Sequence, residues 1–236
     1  MRKVRCAGMA CLVLLLTAAG ISGQTAGGGL SVFVPESLYV AGEGSVSIET
    51  GFQTAIGIAD GVSVPIGIAY NQVYGLMPSR PTDDYTATRP WFYADSLVPF
   101  LLVQATVGSG PVYVNLFGGG AGNWNIAIRP LTGNIEADLS ARIDTGRVSF
   151  RDTPEVTSSF GIGYVAGAAL GFRLDFGALE LRGSFRNIGH RGTLSGEIDT
   201  INADAGTTSP DTNFELDDIR FRLRGFNVGV NVSVNL

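Results

Sequence analysis

Residues Val46–Tyr70 read VSIETGFQTAIGIADGVSVPIGIAY, and their alternation decides the fold. Val46, Ile48, Thr50, Phe52, Thr54, Ile56 and Ile58 alternate with Ser47, Glu49, Gly51, Gln53, Ala55 and Gly57. Beyond Ala59-Asp60-Gly61 the pattern resumes with Val62, Val64, Ile66, Ile68 and Tyr70. Period two marks a strand whose two faces meet different surroundings. Residues paired across a hairpin share a face, so Ile58 is expected opposite Val62, with Gly61 in the left-handed position of a three-residue turn. The same register sets Glu49 opposite Asn71. The length is the unusual feature. The 13 residues Val46–Ile58, tilted as barrel strands are, span roughly 30 Å, the thickness of a bilayer's hydrocarbon core.

Composition points the same way. The chain has 236 residues, of which 33 are glycine and 16% are charged; a soluble domain usually carries about 25% charged residues. Arg2, Lys3 and Arg5 precede an apolar run, Leu12–Ala19, and the small residues Gly20, Ser22 and Gly23. That order is a secretory signal peptide over residues 1–23, removed near Gly23, with the barrel over residues 24–236. Cys6 and Cys11 both lie in the signal, so no disulfide or thiol site is expected in the mature chain. Taking Arg2, Lys3 and Arg5 from the 16 basic residues leaves 13 against 21 acids, a net charge of −8. Such a balance excludes nucleic acid as a partner. No stretch of about 20 apolar residues is present to span a membrane as a helix.

The remaining strands follow in order. Gly27–Gly29 reads as a flexible lead-in to a first strand carrying Leu30, Val32 and Val34, with Leu38 and Val40 continuing it. Gly75–Pro90 reads as an exposed, Pro-rich loop. Leu101, Val103, Ala105 and Val107 form one face, with Val107 expected opposite Val112 across Gly108–Pro111. Val112, Val114 and Leu116 continue, and a bulge is expected at Gly118–Gly120. Asn125–Thr157 is a long polar connection in which Ile135, Leu139 and Ile143 recur at helical spacing. Phe160, Ile162, Tyr164, Ala166, Ala168, Leu170, Phe172 and Leu174 make a second clean face, with Leu174 expected opposite Leu179. Gly189–Asp218 reads as a long acidic connection. Phe226, Val228, Val230, Val232, Val234 and Leu236 close the chain.

Eight strands with tight turns at one end and long loops at the other describe an antiparallel up-and-down transmembrane β-barrel. Ten strands is the alternative, if Asn125–Thr157 holds a membrane-long hairpin. Both termini fall on the short-turn side. A soluble barrel also alternates, but its water-facing side would carry many long charged side chains. Here the second face is Gly, Ala, Ser, Asn and a few arginines, small residues that fit a narrow lumen. Trp91, Tyr93, Trp124, Tyr70 and Tyr164 suit the interfacial girdles, and Ile56, Ile66, Leu170, Val230 and Val232 suit lipid near mid-membrane.

With these strands in place, the mature chain resembles the small bacterial outer-membrane barrels: the outer-membrane protein A transmembrane domain and the X- and W-type proteins. The resemblance rests on pattern and topology, including the alternating C-terminal strand Gly225–Leu236. It implies a place in the outer membrane, surrounding lipid as partner and the barrel-assembly machinery as the folding partner. The W-type likeness implies a conduit or binding site for small hydrophobic molecules, entered from the loop side and left laterally into lipid. The X-type likeness implies a structural or adhesive barrel whose loops meet host or other extracellular ligands.

On the inner face, the Leu174–Leu179 pairing sets Arg173 opposite Glu180 and Gly171 opposite Arg182. Buried arginines require carboxylate partners. The expected interior network is Glu49, Arg173, Glu180, Arg182 and Arg186, acting as a plug or as a polar gate. Phe117, Phe221 and Leu223 are candidates for an apolar vestibule. His190, Ser195 and Glu197 are the residues an enzyme would need, yet their spacing matches no catalytic motif, so no enzyme activity is expected. Gly118–Gly122 lacks the lysine and hydroxyl of a phosphate loop, and Asp211–Glu215 lacks EF-hand spacing. No cofactor or metal site is expected.

Overall fold

A computed structural model of the chain describes residues 24–35, 47–76, 78–80, 85–141, 146–202 and 208–235. The strands are β1 (Gln24–Pro35), β2 (Ser47–Ala59), β3 (Val62–Leu76), β4 (Ser79–Arg80), β5 (Tyr85–Thr86), β6 (Phe92–Val107) and β7 (Val112–Pro130). Helix α1 (Thr132–Ser140) is followed by β8 (Gly146–Phe150), β9 (Glu155–Ser158), β10 (Gly161–Leu174), β11 (Gly177–Asn202) and β12 (Thr208–Asn235). Eight of the strands form an antiparallel ring, β1-β2-β3-β6-β7-β10-β11-β12, shut by β12 pairing back onto β1. Closure leaves the ring no free edge. The closing seam runs from Thr25 opposite Asn235 to Pro35 opposite Gly225. Gly27–Gly29 is therefore strand and not a lead-in, held between ladders to β2 and β12. Leu38 and Val40 lie outside the described residues.

The three short turns and both ends of the described chain share one end of the barrel. Thr106 N–H donates to Gly61 O (2.7 Å), Arg173 N–H to Pro111 O (2.7 Å) and Asn235 N–H to Phe176 O (3.1 Å). In outer-membrane barrels this is the periplasmic end. Glu49 pairs with Asn71, and Gly61 has φ +71°. The turn itself differs from expectation: Ala59, not Ile58, pairs with Val62, and the register slips at Ile58. Two other hairpins are offset by two residues. Val107 sits opposite Val114, and Leu174 opposite Gly177, so the second of these turns is two residues long. An even offset keeps every side chain on its face while changing its partner. The bulge on β7 lies at Ile126, where the register changes between Asp95 and Ser96, and not at Gly118–Gly120.

The outer wall is an apolar belt. Ile66, Leu170, Val230 and Val232 are exposed, and Ile56 is half-buried. Trp124, Tyr164 and Tyr70 are exposed near the loop-side rim, where aromatic girdles sit. Trp91 departs from this expectation. It is fully buried, with its indole N–H donating to Asp138 Oδ2 at 2.8 Å.

The long connections are folded structure. Among its described residues Asn125–Thr157 holds no membrane-long hairpin: β7 runs to Pro130, α1 follows, and β8 and β9 lie against β11. Ile135 on α1 is fully buried, while Ile143 lies outside the described residues. Gly189–Asp218 is no loop either, because β11 and β12 stay paired as far as Ile201 opposite Thr208. Within Gly75–Pro90 the described residues are partly packed: Leu76 and Ala87 are buried and β4 pairs with β12, while Thr88 and Arg89 are exposed. These pieces close over the mouth around a core containing Phe33, Trp91, Phe92, Ile188, Phe221 and Leu223.

Candidate functional site

The lumen is organised in layers because inward side chains on each strand recur every second residue. In the periplasmic half, β7 contributes Tyr113 and Asn115, β11 contributes Glu180 and β12 contributes Asn231. The Glu180 carboxylate accepts from Asn115 Nδ2 (2.6 Å), Tyr113 Oη (3.1 Å) and Asn231 Nδ2 (3.4 Å). Three donors satisfy a charge buried to 6% exposure without any arginine. Gly171, directly opposite Glu180, makes room for this layer, since a Cβ there would overlap the Tyr113 ring.

One layer up, Arg182 Nη1 donates to Gln53 Oε1 across the lumen at 2.7 Å, and its guanidinium lies 4.4 Å from the Phe117 ring centre. Next, Arg186 Nη1 meets Glu49 Oε2 at 2.5 Å, and Asn227 Nδ2 donates to Glu49 Oε1 at 2.9 Å. The Arg186 guanidinium covers the Phe33 ring at 4.2 Å. Its Nε and Nη2 are buried and make no hydrogen bond among the described residues.

The five expected network residues thus separate. Glu49 and Arg186 form an ion pair, Arg182 sits beside them on Gln53, and Glu180 has its own amide and phenol donors. Arg173 belongs elsewhere. It pairs with Ala178 and not Glu180, and its guanidinium donates to Gly110 O (2.7 Å) and Gly108 O (3.1 Å) at the periplasmic turn. The two-residue register offset leaves Arg173 on its inward face but carries it away from the Glu180 carboxylate, to the periplasmic recess, where it lies 5.0 Å from the Tyr113 ring centre.

Between the Arg182 and Arg186 layers lies a cavity of about 110 Å³. Val98, Phe100, Leu102, Phe117 and Val165 make its apolar wall, opposite Arg182, Ser184 and Arg186. Below Glu180 the lumen widens into a polar recess of about 320 Å³ lined by Thr25, Gln104, Thr106 and Ser233 among others. The three vestibule candidates do not share one chamber. Phe117 lines the mid-barrel cavity, whereas Phe221 and Leu223 are packed in the mouth core.

The mouth is latched by polar contacts that the sequence pattern does not reveal. Asp138 on α1 is buried and accepts from Thr88 N–H (3.0 Å), Arg89 N–H (3.4 Å), the Thr88 hydroxyl and Trp91 Nε1. On the edge of β8, Glu136 accepts from Phe150 N–H at 2.6 Å, and Ser140 Oγ accepts from Val148 N–H at 2.8 Å. His190 is buried, stacked on Phe221 at 4.9 Å and 2.7 Å from Asn125 Nδ2. Ser195 and Glu197 stand on the opposite face of β11, and Glu197 pairs with Arg151 (3.8 Å). Nothing joins these three into a catalytic set.

No family model matches the chain, and no curated protein matches it. Among solved structures it is similar to the outer membrane protein OprG from Pseudomonas aeruginosa, with a TM-score of 0.55 and 11% identity over 92% of this chain and 98% of that one. The chain has the fold of a small bacterial outer-membrane β-barrel. A major outer membrane protein from Thermus thermophilus aligns over 88% of this chain and 99% of that one, with a TM-score of 0.40 and 12% identity. The apolar belt, the closed ring and the aromatic rim of this barrel place it in the outer membrane.

Proposed function

We propose that this outer-membrane barrel binds a small, mainly apolar solute inside its lumen. The observation that carries the reading is the mid-barrel cavity, where an apolar wall of β6, β7 and β10 side chains faces two guanidinium groups. Binding pockets for small molecules are typically apolar with a few polar groups that fix orientation. At about 110 Å³ the cavity takes a molecule of only a few heavy atoms. The packed mouth above it and the wider recess below it favour exchange from the periplasmic side. The side chains that fill the lumen of an eight-stranded barrel argue against general diffusion.

The test is solute binding to the folded barrel in detergent, followed by NMR shifts of Val98, Leu102 and Val165 methyl groups. Short-chain aliphatic alcohols should shift them, and Ser184→Phe, which fills the cavity, should abolish the response. Shifts confined to the loops, or unaffected by Ser184→Phe, would remove the reading. Planar-bilayer recordings with the same solutes then separate a binding site from a conduit.

A surface-binding role is the second reading, favoured by the extension of β11 and β12 beyond the barrel with β8 and β9 alongside. Replacing residues 195–215 by a short turn should abolish cell-surface binding on that reading while leaving cavity binding intact.

A further inference from the structure

The stretch Arg220-Phe-Arg-Leu-Arg224 sets three arginines at alternate positions on one strand. Its orientation is fixed by the residues between them, for Phe221 and Leu223 are buried in the mouth core. Arg222 and Arg224 are consequently exposed on the outer wall of β12, and Arg220 is half-buried there. On the neighbouring strand Arg191 lies opposite Arg220, adding a fourth cation to the same wall. Arg191 is held by Asp218 at 3.0 Å, and Arg224 lies 6.0 Å from the Phe185 ring centre. Arg220 and Arg222 make no ion pair among the described residues.

The height of this band follows from the register. Arg224 pairs with Asn187, and Asn187 pairs with the exposed Tyr164, so arginine and interfacial tyrosine share one row across three strands. Directly below on the same wall come Phe226, Val228 and Val230, all exposed and apolar. Glu215, Asp217 and Asp218 lie above, toward solvent. The cations therefore mark the boundary between the hydrocarbon belt and the outside, on a chain whose overall charge is negative.

At that boundary the outer leaflet presents its headgroups. Guanidinium groups suit phosphate because their planar fork makes two charge-assisted hydrogen bonds at once. Alternate residues on a strand stand roughly 6–7 Å apart, which lets neighbouring arginines hold separate phosphates of one headgroup. We propose that the outer wall of β11 and β12 binds a phosphorylated outer-leaflet lipid. Arg222 is the central ligand, flanked by Arg220 and Arg224, and the acyl chains lie along Phe226 and Val228. Its cognate chemistry is a phosphorylated glycolipid headgroup. The site is independent of the lumen cavity.

The experiment is native mass spectrometry of the full mature barrel released from mixed micelles. The probes are a bis-phosphorylated glucosamine glycolipid and the same lipid after phosphatase treatment. The wild-type barrel should retain the phosphorylated form at least about tenfold more, one charge-assisted contact being enough for that ratio. Arg222→Gln with Arg224→Gln should erase the preference, and Arg222→Lys should keep part of it. Arg129→Gln, an exposed arginine on β7, serves as the control and should change nothing. If the double variant does not fold, Arg222→Gln alone gives the reading, with a several-fold loss expected. Equal retention of the two lipids by wild type, or full preference in the folded Arg222 variants, would overturn the proposal.

Discussion

Arg186 on β11 and Glu49 on β2 meet across the lumen at 2.5 Å, with the arginine side chain 3% exposed. Their strands are not neighbours in the ring, so the pair ties opposite walls of the barrel together. Removing one partner leaves a buried charge uncompensated, which costs about 3–5 kcal/mol. Glu49→Ala should therefore lower unfolding stability by that order, read from urea titration in detergent. Glu49→Ala with Arg186→Ala should cost less than the sum of the two single changes. Unchanged stability in Glu49→Ala would show that the pair does not brace the lumen.

Glu180→Ala tests the next layer. It strands the amides of Asn115 and Asn231 and the Tyr113 hydroxyl together in a buried site. Each unsatisfied buried group costs about 1–3 kcal/mol. Arg173→Ala removes two hydrogen bonds at an exposed turn and a guanidinium contact on the Tyr113 ring, and should stay within about 1 kcal/mol of wild type. Equal losses at the two positions would contradict the separation of Arg173 from the Glu180 carboxylate.

The two faces of β12 predict opposite tolerances. Val230 is exposed on the lipid belt, whereas its neighbour Asn231 is buried and donates to Glu180. Val230→Arg should cost about 2–4 kcal/mol in a bilayer, the value for a midplane arginine. Asn231→Leu should cost through its lost donor and the crowding of the lumen, and should do so in detergent and bilayer alike. Identical bilayer dependence at both sites would mean the faces are assigned wrongly.

The barrel is legible in the sequence because its strongest signal, period-two alternation, is local and survives an even register error. Leu174 and Val107 each keep their face while pairing two residues away from the expected partner. Partners, unlike faces, depend on turn geometry, and the turns at Ile58 and at Asp175-Phe176 are tighter than the alternation implies. That is why alternation alone sets Arg173 in the network and passes over Tyr113 and Asn115 as partners of Glu180. Both sit on the inward phase of β7, so a search for amides on inward positions finds Asn115 and Asn231. The mouth is illegible for a different reason. Asp138 and Trp91 are 47 residues apart, and neither lies on a strand whose alternation would bring them together. Polar loop composition looks the same whether a segment is solvated or folded over a core.

The mouth supplies the last prediction. Asp138 gathers the Thr88 hydroxyl, the Thr88 and Arg89 amides and the Trp91 indole N–H onto one buried carboxylate. It fastens α1 to the segment that leads into β6, directly over the fully buried Trp91 and Phe92. Asp138→Ala deletes the acceptor and strands the indole N–H of the fully buried Trp91, while the donors on exposed Thr88 and Arg89 turn to water; Asp138→Asn keeps one acceptor and the same shape. Ala should cost about 1–3 kcal/mol per stranded donor at most, and Asn appreciably less. Because the transmembrane ring closes without these contacts, the loss should fall on the mouth and spare the barrel. Hydrogen exchange should then rise at residues 87–91 and 132–140 in Asp138→Ala, while amides of β10 and the periplasmic half of β11 stay protected. Exchange that rises uniformly around the ring would show that mouth and barrel unfold as one unit, and that Asp138 is not a local latch.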